Sequence, residues 1–239
     1  MATNVFTTPK LWLDGYDLSA HHSALALQYG AESLDVTAFG NTTRVKKGGL
    51  KTVTFGHAGF WDETPDKQYF DRIGVANTVM SVGPLTGAEA EVAYSCRVLT
   101  GSYQPGAAVG EMLAFSVTGE ASAETLVRGA VLRSATLTAN NNGTAQQLGS
   151  VSAAQSLYAS LHITAVSGSS PSMTIKVQSD NASGFPSSAD RITFTAATAI
   201  GAQWAAPVAG SITDDWWRIN TTITGTTPSF TFVVVVSIQ

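Results

Sequence analysis

From residue 129 onwards, the sequence consists of short runs of β-branched and aromatic residues separated by turn residues. No window of 11–18 residues in this part carries the apolar stripe that an amphipathic helix requires. Gly, Asn, Asp, Ser and Pro in the intervening segments supply the backbone geometry of turns. The pattern predicts about seven or eight short strands, which is typical of a β-sandwich of the jelly-roll or immunoglobulin-like type.

Two of the turn-like segments separate neighbouring predicted strands. SGSSPS lies between predicted strands 156–165 and 172–178, and TGTTPS lies between predicted strands 215–224 and 229–237. Both segments are rich in residues that favour turns, so the sequence predicts that each pair of strands is interrupted there.

The first 128 residues are predicted to be β-rich with one short helix. Thr64 suits the N-cap of that helix, Pro65 suits its first position, and Asp66 favours its positive end. Gly74 fits the point where the helix stops. The whole chain is therefore predicted to be mainly β.

Charged residues divide the chain into two parts. Residues 1–128 hold 9 basic and 13 acidic residues, whereas residues 129–239 hold 4 of each. This change in charge density predicts a domain boundary between residues 128 and 129. The net charge of −4 argues against a surface that grips nucleic acid, because such a surface needs clustered Lys and Arg.

Catalytic and cofactor-binding patterns are missing from the sequence. It contains no G-x-S-x-G, H-E-x-x-H, G-x-x-x-x-G-K or G-x-G-x-x-G. Cys96 is the single cysteine and is predicted to be a small buried apolar residue, and His57 and His162 are predicted to be packed or surface strand residues. We therefore expect no enzyme activity, no cofactor and no metal site.

Three groups of residues are candidates for binding. Glu89 and Glu91 are predicted to share one face of a strand, as a carboxylate pair, as part of an acidic wall or as a solvated face. The pair Trp216 and Trp217 follows two Asp residues and invites a sugar-binding interpretation. In the alternative interpretation, one Trp packs in the core and the acids lie in the preceding turn.

The densest basic group lies between residues 44 and 51. It favours a solvated hairpin tip or a protein-contact loop over a phosphate site, because no aromatic residue lies among the cations. Gly48 and Gly49 are predicted to give this loop freedom at positive φ. The basic residues are Arg44, Lys46, Lys47 and Lys51.

Residues 31–63 resemble the major tail tube proteins of long, non-contractile-tailed, siphovirus-type bacteriophages. The resemblance covers roughly residues 8–120, and its motifs are Asp35, Thr37, Phe39-Gly40, Thr43-Arg44, Gly48-Gly49-Leu50 and Phe60-Trp61. The second half, most clearly residues 214–236, is similar to the accessory β-sandwich domains of some phage tail proteins.

The resemblance implies a structural virion protein with an N-terminal tail tube β-sandwich or barrel and an outer C-terminal β-sandwich. Residues 1–128 would form a hexameric ring that lines a channel, and residues 129–239 would be the accessory domain. The rings would stack by self-assembly into a viral tail tube through which double-stranded DNA passes, without specific binding, during genome ejection. The protein would be made in the host cytoplasm and reside in the phage tail, without contact to a membrane.

The same resemblance implies further partners, which are a tape measure protein in the lumen and tail terminator and distal tail proteins at the tube ends. An acidic wall would repel DNA, so the expected channel-lining residues are Glu89, Glu91, Asp35 and Glu32. The expected ring-stacking elements are the N-terminal segment and a loop that contains Arg44, Lys46, Lys47, Gly48, Gly49 and Lys51.

An alternative function is a phage adhesin, or a capsid or tail decoration protein, that binds a host-surface glycan. Trp216 and Trp217 would be its outer glycan contacts. We expect that tubes still assemble after deletion of residues 130–239, and that only adsorption changes if these residues bind the host surface.

Overall fold

The computed structural model describes residues 6–123 and 126–239, and this part of the chain is mainly antiparallel β-structure with one α-helix. The predicted fold class is confirmed at this level. No helix among these residues is long and apolar enough to cross a membrane. The helix is α1 (Glu63–Phe70), and the strands are β1 (Lys10–Leu13), β2 (Tyr16–Asp17), β3 (His22–Asp35), β4 (Lys46–Phe60), β5 (Thr78–Gly83), β6 (Val92–Gly106), β7 (Ala114–Ala121), β8 (Val127–Leu137), β9 (Asn141–Asn142), β10 (Gln146–Gln147), β11 (Ser156–Asp180), β12 (Ala189–Thr193), β13 (Gly201–Trp204), β14 (Val208–Ala209) and β15 (Trp216–Ile238).

The contacts within the chain divide it into two compact units. The first unit contains Met1–Ala20, Val79–Cys96 and Val127–Gln239, and the second contains His21–Thr78 and Arg97–Leu126. The first unit thus takes residues from both sides of the predicted boundary at 128/129. The assignment of separate functions to the two sides of that boundary stays a prediction.

The first unit is organised around its two longest strands. β11 and β15 pair in antiparallel fashion from Leu157↔Ile238 to Asp180↔Trp216. β12 pairs with the other side of β11, and β8 pairs with the other side of β15. Apolar side chains from both halves of both long strands, including those of Leu161, Ile175, Trp217 and Phe232, share one buried cluster.

Both long strands bend where the sequence predicted breaks. Ser167 pairs with Ser229 and Ser169 pairs with Thr226, so the ladder continues through the two turn-like segments with local register shifts. Gly168 and Gly225 adopt positive φ there. The prediction of two interrupted strand pairs was wrong, because two bend-prone segments that face each other retain their mutual hydrogen bonds.

The second unit is a sheet in the order β3-β4-β7-β6 with α1 on one face. Alternate residues of β4, which are Val53, Phe55 and His57, are buried. Tyr69 of α1 is fully buried within 5.6 Å of Phe115 of β7, measured between ring centroids. The alternation of buried and exposed residues that period-2 geometry requires therefore gives this sheet one packed face and one exposed face.

Helix α1 begins two residues earlier than its predicted start. Its N-cap is Asp62, whose side chain accepts a hydrogen bond from Thr64 N at 3.0 Å. Thr64 and Pro65 therefore lie inside the first turn, and the predicted N-cap at Thr64 was wrong. Tyr103 of β6 donates to Asp66 Oδ1 at 2.6 Å, which fixes the helix to the sheet.

Candidate functional site

Exposed large apolar side chains lie almost entirely in the second unit. Among the described residues, only Phe6 and Ile200 carry such side chains outside it. Those of the second unit occur at both ends of its sheet and after α1. Large exposed apolar patches mark interaction sites, so the second unit is the candidate for association with other chains.

One group lies on the arm, which we define as residues 31–51 at the tip of the β3–β4 hairpin. Every residue from 31 to 48 is exposed. Phe39 is exposed over its whole surface and Leu50 over 75% of it, and the other exposed apolar residues of the arm are Leu34, Val36 and Val45. The arm therefore buries little apolar surface within its own chain.

The basic residues of the arm lie at a hairpin tip, which confirms that part of the sequence analysis. Lys46, Lys47 and Lys51 belong to β4, and Arg44 lies in the preceding loop. Lys46 Nζ is 4.0 Å from Asp35 Oδ2. The role of these residues in ring stacking stays a prediction. Residues 1–5, with which the predicted N-terminal contact segment begins, lie outside the described residues.

Hydrogen bonds give the arm tip a defined conformation. Asp35 accepts from Thr37 N at 3.1 Å and from Thr37 Oγ1 at 2.6 Å, and these bonds lower the pKa of Asp35. Neither Gly48 nor Gly49 adopts positive φ, so that prediction was wrong. Gly49 instead allows a close approach, because a Cβ at this position would lie 2.9 Å from Glu32 Oε2.

A second apolar group lies at the opposite end of the same sheet, and we call it the acidic end. β4 leaves the sheet there, and Trp61 N donates to Leu113 O at 2.8 Å. Val109 is exposed over its whole surface and Met112 over 71% of it. The acidic end comprises Phe60, Trp61, Asp62, Glu63, Val109, Glu111, Met112 and Leu113.

The sheet face opposite α1 is exposed and carries small and polar side chains. We call it the open face. It forms a groove of about 490 Å³ lined by residues that include Ala26, Gln28, Thr54, Thr118 and Glu120. Among the described residues of this face outside the arm, strand alternation places Glu120 and Arg97 as the ionisable ones. This face therefore carries few charges.

Two of the predicted acidic wall residues, Glu89 and Glu91, belong to the first unit. Glu89 and Glu91 are in the turn before β6, where Ala90 has a φ of 69°. The prediction that they share one face of a strand was therefore wrong. Glu89 Oε1 is 3.0 Å from Arg133 Nη1, and Glu91 accepts from Thr86 Oγ1 at 3.0 Å.

These contacts brace the turn within the first unit. Glu32 and Asp35 lie on the arm. A channel-lining role for the four acidic residues stays a prediction.

The two tryptophans at the start of β15 have different environments. Trp217 is fully buried in the core of the first unit and donates from Nε1 to Gly149 O at 2.8 Å. The predicted glycan contact was therefore wrong at Trp217, and the alternative of a core Trp is confirmed. Asp214 and Asp215 precede the strand, as that alternative also predicted, and Trp216 is half-buried.

The strand histidines are packed, as predicted. His57 is buried in the second unit, and His162 is buried in the first, 2.9 Å from Ser81 Oγ. A His beside a Ser can form a nucleophile pair, but Ser81 is fully buried and hydrogen-bonded to two other serines. Within residues 6–123 and 126–239, no three His, Cys, Asp or Glu side chains are grouped to hold a metal ion.

No protein-family model and no curated protein matches the chain. Among solved structures, it is similar to a chain in the tail of an empty gene transfer agent particle refined with C6 symmetry. The two share 17% identity over 52% of this chain and 97% of the other, with a TM-score of 0.42.

Two further likenesses are to proteins of phage SPP1. The SPP1 tail tube chain is 10% identical over 50% of this chain and 76% of its own, with a TM-score of 0.41. The SPP1 Dit protein, described as a paradigm of the hub adsorption apparatus in phages that infect Gram-positive bacteria, is 10% identical over 98% of this chain and 100% of its own, with a TM-score of 0.39. None of the three TM-scores reaches 0.5.

Proposed function

We propose that this protein is a structural subunit of a phage tail that assembles with copies of itself into stacked hexameric rings around a bore. The observation that carries the proposal is the concentration of exposed large apolar side chains in the second unit, most of them at the two ends of its sheet. Two parts of the proposal, the six copies per ring and the passage of the genome through the bore, rest on the resemblance of residues 31–63 to tail tube proteins.

The arm and the acidic end support head-to-tail association. They lie at opposite ends of the same sheet and differ in sequence, so one copy can present its arm to the acidic end of the next. Such a contact is heterologous and repeats indefinitely along an axis unless it closes. Stacking of rings into a tube requires this kind of contact.

The charges of the two ends are complementary. The arm carries Arg44, Lys46 and Lys47, whereas the acidic end carries the exposed Glu63 and Glu111. Charge complementarity fixes the register of two surfaces and suppresses like-to-like pairing. We assign the predicted ring-stacking role of the basic loop to contact with the acidic end of a neighbouring copy.

The edge of β3 supports association around the ring. Among the described residues, β3 pairs with β4 on one side and has no strand on the other. An unpaired edge of 14 residues is a template for another strand. Joining neighbouring subunits through such edges would close the sheets into a barrel.

The open face suits the wall of the bore. DNA is held when Lys and Arg replace the counterions of its phosphates. The open face carries Thr, Ser, Gln and Ala with Glu120 and the half-buried Arg97, so it offers little to hold a passing duplex. The tape measure protein, the terminator and distal tail proteins, and the outer role of residues 129–239 remain implications of the family resemblance.

Electron microscopy of the purified full chain tests the proposal. We expect rings or tubes of constant diameter for the parent protein and their loss in a variant with Phe39→Asp and Leu50→Asp. The control is Ile200→Asp, which alters an exposed apolar residue of the first unit and should assemble normally. A parent chain that remains monomeric at high concentration would contradict the proposal.

A further inference from the structure

The packed face of the second unit leaves apolar side chains uncovered along β3. Leu27 and Tyr29 lie opposite the buried Phe55 and Val53 of β4 in the antiparallel register. Directly opposed residues project from the same face of a sheet, so these side chains point to the side on which α1 packs. Leu27 is nevertheless only half-buried, and Tyr29 is 42% exposed. The β3 margin is our name for Leu25, Leu27 and Tyr29.

A second group of uncovered apolar side chains follows α1. Phe70 is 72% exposed, Ile73 is 43% exposed and Val75 is 48% exposed, and we call these three residues the helix-end patch. Gly74 N donates to Thr100 O at 3.1 Å, and Ile73 forms a parallel bridge with Thr100. The patch is therefore fixed in place beside β6.

The helix-end patch lies at the margin of the sheet opposite β3. Thr100 of β6 pairs with Gly119 of β7 on one side and with Ile73 on the other. The order across the second unit is therefore β3-β4-β7-β6, followed by the segment that carries the patch. Each lateral margin of this unit exposes apolar side chains, and the two margins differ in sequence.

The cations beside the helix-end patch already have partners within α1 and the residues that follow it. Lys67 Nζ is 2.6 Å from Asp71 Oδ2, and Arg72 Nη1 donates to Gln68 Oε1 at 2.8 Å. Burial of the patch would leave neither cation without a partner, which avoids the cost of an isolated buried charge. Apolar side chains depleted of unpaired charge are typical of the core of a protein–protein interface.

The charges that border the two surfaces are opposite in sign. Lys51, at the base of the arm, lies with its Nζ 5.9 Å from the centroid of the Tyr29 ring. Asp71 is exposed and directly follows Phe70. Its carboxylate has two oxygens and can accept from a second cation besides Lys67. Opposite charges fix the register of two surfaces, so the β3 margin suits the helix-end patch better than either suits itself.

We propose that the helix-end patch of one copy packs against the β3 margin of the next copy around the ring. This inference rests on the proposed ring and names the surfaces that join its subunits. In a ring whose copies all turn the same face to the bore, each copy presents opposite margins to its two neighbours. Both margins are then covered in every copy, whereas a dimer of like margins would leave one margin of each copy uncovered.

Cross-linking of the full chain through introduced cysteines tests this contact. Leu27→Cys with Ile73→Cys places one thiol on each margin. Burial raises the pKa of Cys96 to about 12, so the native thiol does not compete for the reagent. A short bis-maleimide added to assembled rings should give a ladder of products that ends at the hexamer. The matched controls are the two single variants, which should give no ladder.

The outcomes of cross-linking distinguish the contact from the ring itself. Dimers from either single variant would show that like margins meet and would overturn the proposal. A double variant that forms rings in electron micrographs but gives no ladder would also overturn it, while ring assembly would stand. A parent chain that forms neither rings nor tubes would refute both the proposed function and this contact.

Charged variants test the contact without a cross-linker. Leu27→Asp and Ile73→Asp each place an isolated carboxylate in every contact of the ring, so we expect the fraction of chain in rings to fall by more than about tenfold. Leu27→Asp with Ile73→Lys should restore rings. The matched control is Gln28→Asp, which puts the same charge on the opposite face of β3 and should assemble normally. Rings at the parental level in either single variant would contradict the proposal.

Discussion

At the scale of single residues, His57 is the least satisfied group of the second unit. Its ring is buried against Phe55 and Tyr69, and neither ring nitrogen has a hydrogen-bond partner among the described residues. Burial, and then the charge of His22, lower the pKa of His57 to about 3. The imidazole therefore remains neutral in the folded protein above about pH 3.

The neutral state of His57 predicts that acid destabilises the second unit. His57 binds a proton near pH 6.5 in the unfolded chain and only near pH 3 in the folded chain. Its contribution to the free energy of unfolding is therefore complete above pH 6.5 and is lost as pH falls towards 3. Between these two pH values, His57 changes the free energy of unfolding by about 1.4 kcal/mol per pH unit. We expect His57→Phe to remove this contribution and to stabilise the unit by about 1–3 kcal/mol, because no buried polar atom remains unpaired.

Hydrogen exchange of the β4 and β7 amides between pH 4 and 7 measures this effect within the second unit. The control is His21→Gln, which retains His57 and should keep the slope. A slope in His57→Phe equal to that of the parent would show that another group is responsible.

Individual site residues were predictable only where local chemistry decides their environment. The cations at residues 44–51 repel one another and stand beside glycines, so a solvated tip follows from sequence alone. Glu89 and Glu91 could not be placed, because a single residue with positive φ, Ala90, turns a predicted strand into a loop. Trp216 and Trp217 could not be distinguished, because burial depends on the strand that packs against them.

At the scale of elements, the arm and the acidic end make a prediction about stacking. Lys46→Glu with Lys47→Glu places like charges against Glu63 and Glu111, so we expect single rings or much shorter tubes. Adding Glu63→Lys and Glu111→Lys restores opposite charges and should restore tube length.

Sedimentation velocity and electron microscopy provide the measurement of tube length. Lys10→Glu is a control in the first unit, where the lysine forms only a partly exposed ion pair with Asp17. If the variant with Lys46→Glu and Lys47→Glu forms tubes of parental length, the arm does not contact the acidic end of a neighbouring copy.

If the open face lines the proposed bore, its side chains determine whether assembled tubes retain DNA. Gln28→Lys, Thr54→Lys and Thr118→Lys would line each ring with cations, so we expect assembled tubes to retain duplex DNA, with a steep loss of binding as salt increases. Retained DNA should be protected from nuclease because it lies inside.

The control variant carries Thr198→Lys, Thr213→Lys and Thr222→Lys, which replace exposed residues of the first unit and give the same net charge. Duplex DNA bound by this control variant should remain sensitive to nuclease. If DNA is equally protected from nuclease in both variants, the open face is not the wall of the bore.

Elements were predictable where turn residues act locally and were mispredicted where pairing overrides them. The segments SGSSPS and TGTTPS have the composition of turns, and isolated peptides of this kind would reverse direction. Their register opposite each other keeps β11 and β15 continuous. The open face was also missed, since its small and polar residues give no signal until the strands are in register.

At the scale of the whole molecule, the composition of the first unit changes the expected effect of truncation. Val92 pairs with Ala130, and Ala93 shares a buried cluster with Val131 and Val235. Deletion of residues 129–239 would remove these partners and expose the cluster. We expect the truncated chain to be unfolded or aggregated, in contrast to the tube assembly that the sequence alone suggested.

Near-ultraviolet circular dichroism and the solubility of the truncated chain provide the measurement. A deletion of residues 36–44 with a two-residue replacement turn is the control, because those residues are exposed and should not be needed for folding. A folded truncated chain that forms tubes would show that residues 1–128 suffice.

The position of β15 has a consequence for how the chain is made. It lies between β8 and β11, yet it is synthesised after every other described strand. Partners such as Ala130 and Val236 are distant in sequence, and such non-local pairing is slow and favours transient exposure of apolar surface. A nascent polypeptide emerging from the ribosome thus lacks the central strand of its first unit until translation has passed residue 238.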